Sequence, residues 1–280
     1  MPECHVKGFR MVYEQHGDTG PAVLLIPGAH PAKAWQPVVV PALVESGYWV
    51  ITFDHRGIAP SEKVDPPYSV EDLATDVSGL LDEIGTGPCH VIGNSVGGIV
   101  SQTLALAEPQ RVRSVCFLAG LGKLSPAGRI LLDALLELYE SPESLPAIQR
   151  SLFATLFVPP PYWSEPDEGL AQLDRLITEN WSGKEILGHI SALRDSDGHS
   201  RSAELGGLKI PALGVAGRWD QLFPPTTFRE SMALVPNGAY TEIPDAAHIL
   251  LARGEQVCEQ VLRFLREVDA EEGSTRGVFP

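Results

Sequence analysis

The sequence predicts an α/β protein: a mostly parallel, doubly wound sheet interrupted by an inserted helical segment. Short, continuous apolar runs recur along the chain, and segments of helical periodicity alternate with them up to about residue 121. The following residues, 122–206, contain helix-like segments and no convincing strand pattern. Because parallel strands need long and usually helical connections, this order of segments favours one sheet with helices on both faces.

The predicted strands are mostly short apolar runs, as expected of strands buried on both faces. Before the insertion these runs lie at 22–26, 48–53, 89–93 and 112–118. An alternating segment precedes them at 9–15, and strand patterns resume after the insertion at 211–216 and 239–243. The insertion therefore lies between two strands of the sheet.

Helices are expected between these strands. Segment 70–84 has apolar residues at helical spacing, and Ser69 precedes it as an N-cap with Asp72 three residues later. Further helices are predicted at 35–45, 96–107, 226–234 and 255–268, and within the insertion at 130–139, 145–157, 170–180 and 184–194. The polar end of the chain, 269–280, is expected to be disordered.

Two structural units follow from this order. We expect an α/β core formed by residues 1–121 and 207–280, and a helical cap formed by residues 122–206. A cap inserted between two core strands can lie over the carboxyl edge of the sheet, where open α/β sheets bind ligands.

The composition argues against several kinds of partner. Acidic residues number 36 and basic residues 21, and the resulting net charge of −15 disfavours nucleic-acid binding. No apolar stretch of about 18 residues exists, so no membrane span is expected. The four cysteines are scattered and no secretory signal is visible, which together predict a reducing, cytoplasmic location. The oligomeric state is left open.

Residues 93–97 have the spacing Gly-x-Ser-x-Gly, with Ser95 at the centre, where a predicted strand meets a predicted helix. A sharp turn there would raise the serine above the sheet edge and direct the N–H groups of the helix at the same point. In the structural alternative Ser95 merely caps the helix. The strand before the turn and the apolar helix after it favour a nucleophile.

A serine nucleophile needs a base, and the base needs a group that orients it. Asp220 follows the strand predicted at 211–216, and His248 follows the strand predicted at 239–243. Each candidate thus lies past the end of a different strand. It is much less probable that all three candidate residues lie past strand ends by chance than that any one of them does.

Several stretches carry a family resemblance. Residues 54–61 resemble the D-x-R-G-x-G-x-S stretch of α/β-hydrolase-fold proteins, 217–225 resemble their acid loop, and Ala247-His248 resembles their histidine loop. Over about residues 9–267 the chain is identified as a member of this superfamily, similar to esterases and haloperoxidase-like serine hydrolases with a helical cap. The order Ser95, Asp220, His248 is the order expected of the fold.

The resemblance implies an oxyanion hole, with one departure. Many members have His-Gly after the third strand, whereas this chain has Pro27-Gly28-Ala29-His30. Aligning the glycine makes the backbone N–H groups of Ala29 and Val96 the expected donors. His30 is displaced, and either steadies the loop or hydrogen-bonds the substrate.

The resemblance and the triad predict a serine esterase, lactonase or thioesterase that acts on a medium-sized, mostly apolar molecule. The expected substrate contacts are His30, Trp35, Phe153, Phe157, Trp163, Trp219 and Phe223. No metal or organic cofactor is required, and the calcium-like stretch at 195–199 lacks the remaining ligands. Two alternatives stay open. One is a lyase, cyclase, perhydrolase or C–C hydrolase that uses the same residues. The other is a ligand receptor, although the intact triad argues against it.

Overall fold

The computed structural model describes residues 1–141, 146–162, 175, 184–196 and 201–276 of the 280-residue chain. The strands, numbered β1 to β8 in chain order, are Glu3–Val6, Phe9–His16, Ala22–Ile26, Trp49–Phe53, Cys89–Asn94, Val112–Leu118, Ala212–Gly217 and Gly238–Ile243. They form one sheet in the order β1-β2-β4-β3-β5-β6-β7-β8. The β1–β2 and β2–β4 pairs are antiparallel and the other pairs are parallel, which confirms the mostly parallel sheet.

Helices cover both faces of the sheet. Numbered α1 to α8 in chain order, they are Val39–Glu45, Val70–Ile84, Val96–Ala107, Pro126–Glu140, Pro146–Phe157, Leu187–Ser196, Pro225–Met232 and Gly254–Arg276. Helices α2, α3 and α7 share one hydrophobic cluster with Leu24 and Ile26, whereas α1 and α8 share a second cluster with Val23 and Leu25. Because successive strand residues point to opposite faces, this division confirms the doubly wound arrangement.

The start of α2 matches its prediction from the sequence. The Ser69 hydroxyl accepts the backbone N–H of Asp72 at 3.1 Å, and the Asp72 carboxylate accepts the backbone N–H of Ser69 at 2.9 Å. This reciprocal pair satisfies two N–H groups that the first turn of a helix leaves without partners. The helix ends at Ile84 and is followed by Gly85, whose φ of 72° suits a residue without a Cβ.

Strand β1 was not expected from the sequence. It pairs with β2 through a tight turn in which Lys7 has φ 47° and Gly8 has φ 89°. Turns with two positive φ values usually begin with asparagine, aspartate or glycine. Because Lys7 is not one of these residues, the sequence pattern does not predict the hairpin.

The end of the chain corrects the expected disorder for residues 269–276. Helix α8 continues to Arg276, and residues 277–280 lie outside the described part of the chain. Asp269 accepts a hydrogen bond from the Tyr48 hydroxyl at 2.9 Å and from the Arg113 guanidinium at 2.8 Å. These partners are remote in sequence, so local polarity gave no sign of them.

Helices α4, α5 and α6 lie between β6 and β7, and no strand occurs there among the described residues. They overlap the helices expected at 130–139, 145–157 and 184–194. The helix expected at 170–180 lies outside the described residues except for residue 175. We propose that this segment is the cap expected at 122–206, because all three helices contribute side chains to the cavity beside Ser95.

Candidate active site

The turn between β5 and α3 places Ser95 at the carboxyl edge of the sheet. Ser95 has φ 54° and ψ −121°, a conformation that strains any residue with a side chain and is found mainly at functional turns. A Cβ on Gly97 would collide with the carbonyl oxygens of Ile26 and Pro27, and one on Gly93 would collide with the carbonyl of Gly97. The two glycines are therefore required by the close approach of neighbouring backbone.

The hydroxyl of Ser95 does not cap α3, because no capping hydrogen bond forms from its side chain. Its Oγ instead lies 2.9 Å from Nε2 of His248. The alternative in which Ser95 merely caps the helix therefore does not describe the turn.

His248 is in turn hydrogen-bonded to Asp220, with 2.9 Å between Nδ1 and Oδ2. The other carboxylate oxygen, Oδ1, accepts the backbone N–H groups of Leu222 at 2.8 Å and Phe223 at 3.1 Å. A carboxylate without a proton only accepts, so we assign the imidazole proton to Nδ1 and a lone pair to Nε2. The structure thus brings the three predicted residues together, with the lone pair facing the serine.

The imidazole of His248 stacks with two phenyl rings. The rings of Phe157 and Phe223 stack beside it at centroid distances of 6.1 and 6.2 Å, each inclined by 19°. The backbone N–H of His248 donates to the carbonyl of Leu156 at 3.4 Å. Helix α5, from which Phe157 and Leu156 come, therefore helps to fix the ring.

The two residues expected to supply the N–H groups of an oxyanion hole lie close to Ser95 in the structure. Val96 is the first residue of α3, where N–H groups have no partner within the helix. Ala29 lines the same cavity as Ser95. Gly28 packs so closely that a Cβ there would lie 3.2 Å from the Cβ of Ser95. Their role as oxyanion donors remains a proposal.

His30 lines the cavity and is almost fully buried. Its Nδ1 lies 3.0 Å from the carbonyl of Pro31, and its Nε2 lies 3.2 Å from both the backbone N of Gly28 and Oδ1 of Asn94. Burial lowers the pKa of His30 below its ordinary value, which favours a neutral ring. With both ring nitrogens in contact with the surrounding loop, the geometry favours the loop-steadying role.

A second histidine behind this loop was missed by sequence reasoning. Nε2 of His55, a fully buried residue, donates to the carbonyl of Pro27 at 3.1 Å. Burial lowers the pKa of the His55 imidazole to about 3, so the ring is neutral at neutral pH. The ring of His189, on α6, lies 5.2 Å away. The only sequence signal for His55 is its place in the stretch 54–61.

A largely apolar cavity opens beside Ser95. Its walls come from the loop that contains Ala29 and His30, the Ser95 turn, the cap helices and the loops that carry Asp220 and His248. The lining residues are Ala29, His30, Asn94, Ser95, Leu132, Leu135, Phe153, Leu156, Phe157, Ile186, Ile190, Leu193, Leu222, His248, Ile249 and Leu251. None of these is acidic, lysine or arginine, so among the described residues the cavity presents no side chain of permanent charge.

Some of the expected substrate contacts line the cavity and others do not. Phe153 and Phe157 line it with His30, and Phe223 stacks on His248 without lining it. Trp163 lies outside the described residues.

Two expected contacts are corrected. Trp35 is fully buried in the cluster formed with α1 and α8, because its ring points to that face of the sheet. Trp219 is 37% exposed in a separate surface groove, because its backbone N–H is bonded to Ala246 and its ring is directed outward.

The described part of the chain lacks two kinds of feature. No three His, Cys, Asp or Glu side chains there are grouped so that they could hold a metal ion. No helix in the described ranges combines the length and the apolar character needed to cross a bilayer. Residues 197–199 of the calcium-like stretch lie outside those ranges.

The chain is similar to known proteins in sequence and in fold. The chain is 28% identical over 261 residues to the Mycobacterium tuberculosis protein named "Putative non-heme bromoperoxidase BpoC", covering 93% of this chain and 99% of that protein. The crystal structure of BpoC superposes with a TM-score of 0.85, over 94% of this chain and 97% of that chain.

Two other relatives extend the comparison. Rhodomycin D methylesterase DnrP of Streptomyces peucetius is 30% identical over 259 residues, covering 82% of this chain and 85% of that protein. The enol-lactonase of Burkholderia xenovorans LB400 shares the fold, with a TM-score of 0.79 at 24% identity over 95% of this chain and 100% of that chain. Residues 23–260 match the sequence profile of the alpha/beta hydrolase family. The chain therefore belongs to the alpha/beta hydrolase family and is an enzyme of that family.

Proposed function

We propose that this enzyme is a serine hydrolase that cleaves an ester, a lactone or a thioester of a medium-sized, mostly apolar molecule. One observation carries the proposal: a continuous hydrogen-bonded chain runs from Ser95 through His248 to Asp220, with both distances 2.9 Å. The Ser95 end of this series of hydrogen bonds lies in an apolar cavity, where a substrate carbonyl can reach the serine.

The first half of the reaction forms an acyl-enzyme. His248 accepts the hydroxyl proton at Nε2 as Ser95 attacks the substrate carbonyl. The carboxylate of Asp220 holds the proton on Nδ1 and stabilises the imidazolium that forms. His248 then returns its proton to the leaving group. In the second half, water attacks the acyl carbon with His248 as base, the bond between Ser95 and the acyl group breaks, and His248 returns the proton to Ser95 as the acid is released.

The oxyanion that forms in each half is proposed to accept the backbone N–H groups of Ala29 and Val96. A donor fixed in advance at such a position typically contributes about 10² to 10³ in rate. The turn at Ser95 and the Pro27–His55 hydrogen bond hold the two backbone segments before substrate arrives.

The cavity walls support the proposed substrate class. Aliphatic and phenyl side chains from α4, α5 and α6 face the serine, and the described lining has no acidic, lysine or arginine side chain. An acyl group with a formal charge would lose its hydration there without a partner of opposite charge. An uncharged, mostly apolar acyl group is therefore expected. The name of the relative DnrP, a methylesterase, supports ester cleavage.

The test is turnover of p-nitrophenyl esters of increasing acyl length, together with labelling by a fluorophosphonate. Ser95→Ala should abolish both activities, whereas Ser151→Ala, at an exposed serine on α5, should leave both unchanged. Undiminished labelling of the Ser95→Ala variant would remove the nucleophile assignment. Labelling at Ser95 without turnover of any ester would instead favour a lyase, cyclase or perhydrolase use of the same residues.

A further inference from the structure

The end of cap helix α5 is capped by the loops that carry the proposed triad. The last carbonyl groups of a helix have no partner within it. The carbonyl of Thr155 accepts a 2.8 Å hydrogen bond from the side-chain amide of Gln221, and the carbonyl of Leu156 accepts a 3.4 Å bond from the backbone N–H of His248. Gln221, which follows Asp220, and His248, the proposed base, therefore satisfy two carbonyl groups at the end of this helix.

The start of cap helix α4 is tied to the same loop. Ser125 is its N-cap, and its hydroxyl oxygen accepts the backbone N–H of Gly128 at 2.8 Å. The Ser125 hydroxyl donates to the carbonyl of Gln221 at 2.6 Å, and the Ser125 backbone N–H donates to the carbonyl of Leu222 at 2.9 Å. The acid loop thus joins the beginning of one cap helix to the end of another.

These contacts relate the position of the cap to the geometry of the proposed base. A displacement of α5 would move the carbonyl bonded to the His248 backbone and also the Phe157 ring that stacks on the imidazole. The same displacement would pull on Gln221, whose neighbour Asp220 orients the imidazole. Reacting groups must be held within about 0.5 Å of the productive geometry, so small shifts matter.

We propose that Gln221 is a positioning residue: its hydrogen bond to Thr155 holds the end of α5 against the histidine loop and so keeps His248 directed at Ser95. This inference rests on the proposed serine hydrolase function. Gln221 does not line the cavity, so it acts through the imidazole and not through the substrate.

The test compares two glutamines that make hydrogen bonds of equal length. Gln221→Met keeps the length of the side chain and removes the amide that donates to Thr155. Gln149→Met is the matched control, because the amide of Gln149 donates to the Tyr139 hydroxyl at 2.8 Å within the cap. Each protein is measured for its rate of fluorophosphonate labelling, for kcat and KM on a p-nitrophenyl ester, and for its temperature of thermal unfolding.

Gln221→Met should lower both the labelling rate and kcat roughly ten- to hundredfold, because a misplacement of about 1 Å can cost that much. Its KM should stay near that of the wild-type enzyme, and Gln149→Met should match the wild type in labelling and kcat. A Gln221→Met enzyme that is labelled at the wild-type rate, or that changes only in KM, would overturn the proposal. So would an equal loss of labelling in Gln149→Met.

A second variant and a reference variant complete the experiment. Should Gln221→Met fail to fold, Gln221→Asn decides the matter, since it keeps the amide but is too short to reach Thr155 from the same backbone position. Ser95→Ala separates the two proposals. If Ser95→Ala loses labelling but both Gln221 variants keep it, only the positioning role fails. If Ser95→Ala is still labelled, the proposed function fails first.

Discussion

Ser95 and His248 meet at 2.9 Å, but different kinds of contact hold them there. Ser95 is fixed by backbone: a strained turn between β5 and α3, with glycines where neighbouring carbonyls approach. His248 is fixed by side chains and by the cap: the Asp220 carboxylate, two phenyl rings and a carbonyl of α5.

The difference shows which parts of the chain encode the two halves of the site. The serine half is Ser95 with its turn, and the histidine half is His248 with the groups that hold it. The serine half lies within one strand–turn–helix unit of the core, so a short motif describes it. The histidine half gathers groups from the acid loop, the histidine loop and the insertion. Mutations of the groups that hold the two residues should therefore have different effects: those around Ser95 should lower stability, and those around His248 should lower activity.

Among variants that keep Ser95, Asp220→Asn should give the largest effect on activity and so sharpen the comparison. The amide can still accept the two backbone N–H groups, but its NH₂ facing Nδ1 favours the wrong tautomer of His248. A loss of kcat on the order of 10⁴-fold is expected, with little change in the free energy of unfolding. Steady-state kinetics and urea unfolding check this, and a stability loss that accounts for the lost activity would contradict it.

Gly97→Ala tests the serine half. Its Cβ would collide with the carbonyls of Ile26 and Pro27, whereas a Cβ on the control position, Gly87, meets nothing within 4 Å. Gly97→Ala should lower the free energy of unfolding by about 1–3 kcal/mol or more. Gly87→Ala should stay within about 0.5 kcal/mol of the wild type. Equal stability of the two variants in chemical denaturation would show that the turn tolerates a Cβ.

His55→Gln tests how pH changes the free energy of unfolding through the buried histidine that donates to the Pro27 carbonyl. Burial lowers the pKa of His55 to about 3 in the folded protein, below the ordinary value of 6.5. Between these values the unfolded chain binds a proton that the folded chain does not, so acidification lowers the free energy of unfolding. At pH 5 this one histidine should cost about 2 kcal/mol of stability.

A glutamine keeps a donor for the Pro27 carbonyl and does not titrate, so His55→Gln should lose less stability than the wild type between pH 7 and pH 5. His5→Gln, at an exposed histidine, is the matched control and should follow the wild-type curve. Unfolding curves at the two pH values measure both. An unchanged acid sensitivity in His55→Gln would show that the buried ring is not the cause.

The sequence predicted the features that local patterns encode. Continuous apolar runs gave the buried strands, Ser69 and Asp72 gave the start of α2, and the spacing around Ser95 gave the turn. Asp220 and His248 were predictable because strands of a parallel sheet end at one edge.

Contacts between remote segments were not predictable in the same way. Asp269 extends α8 through bonds to Tyr48 and Arg113, which polarity alone does not reveal. Periodicity did not show that Trp35 lies in the core cluster formed with α1 and α8, or that Trp219 lies in a separate surface groove. The hydrogen bond between Gln221 and α5 joins residues 66 apart in the chain, and no motif marks it.

The most direct test of the central claim is to find which residue of the native enzyme a fluorophosphonate modifies. The protein would be treated with one equivalent, digested, and mapped by mass spectrometry while residual esterase activity is followed. The account predicts a single adduct, on Ser95, that forms in step with the loss of activity. An adduct on any other residue, or full esterase activity with Ser95 completely modified, would contradict it.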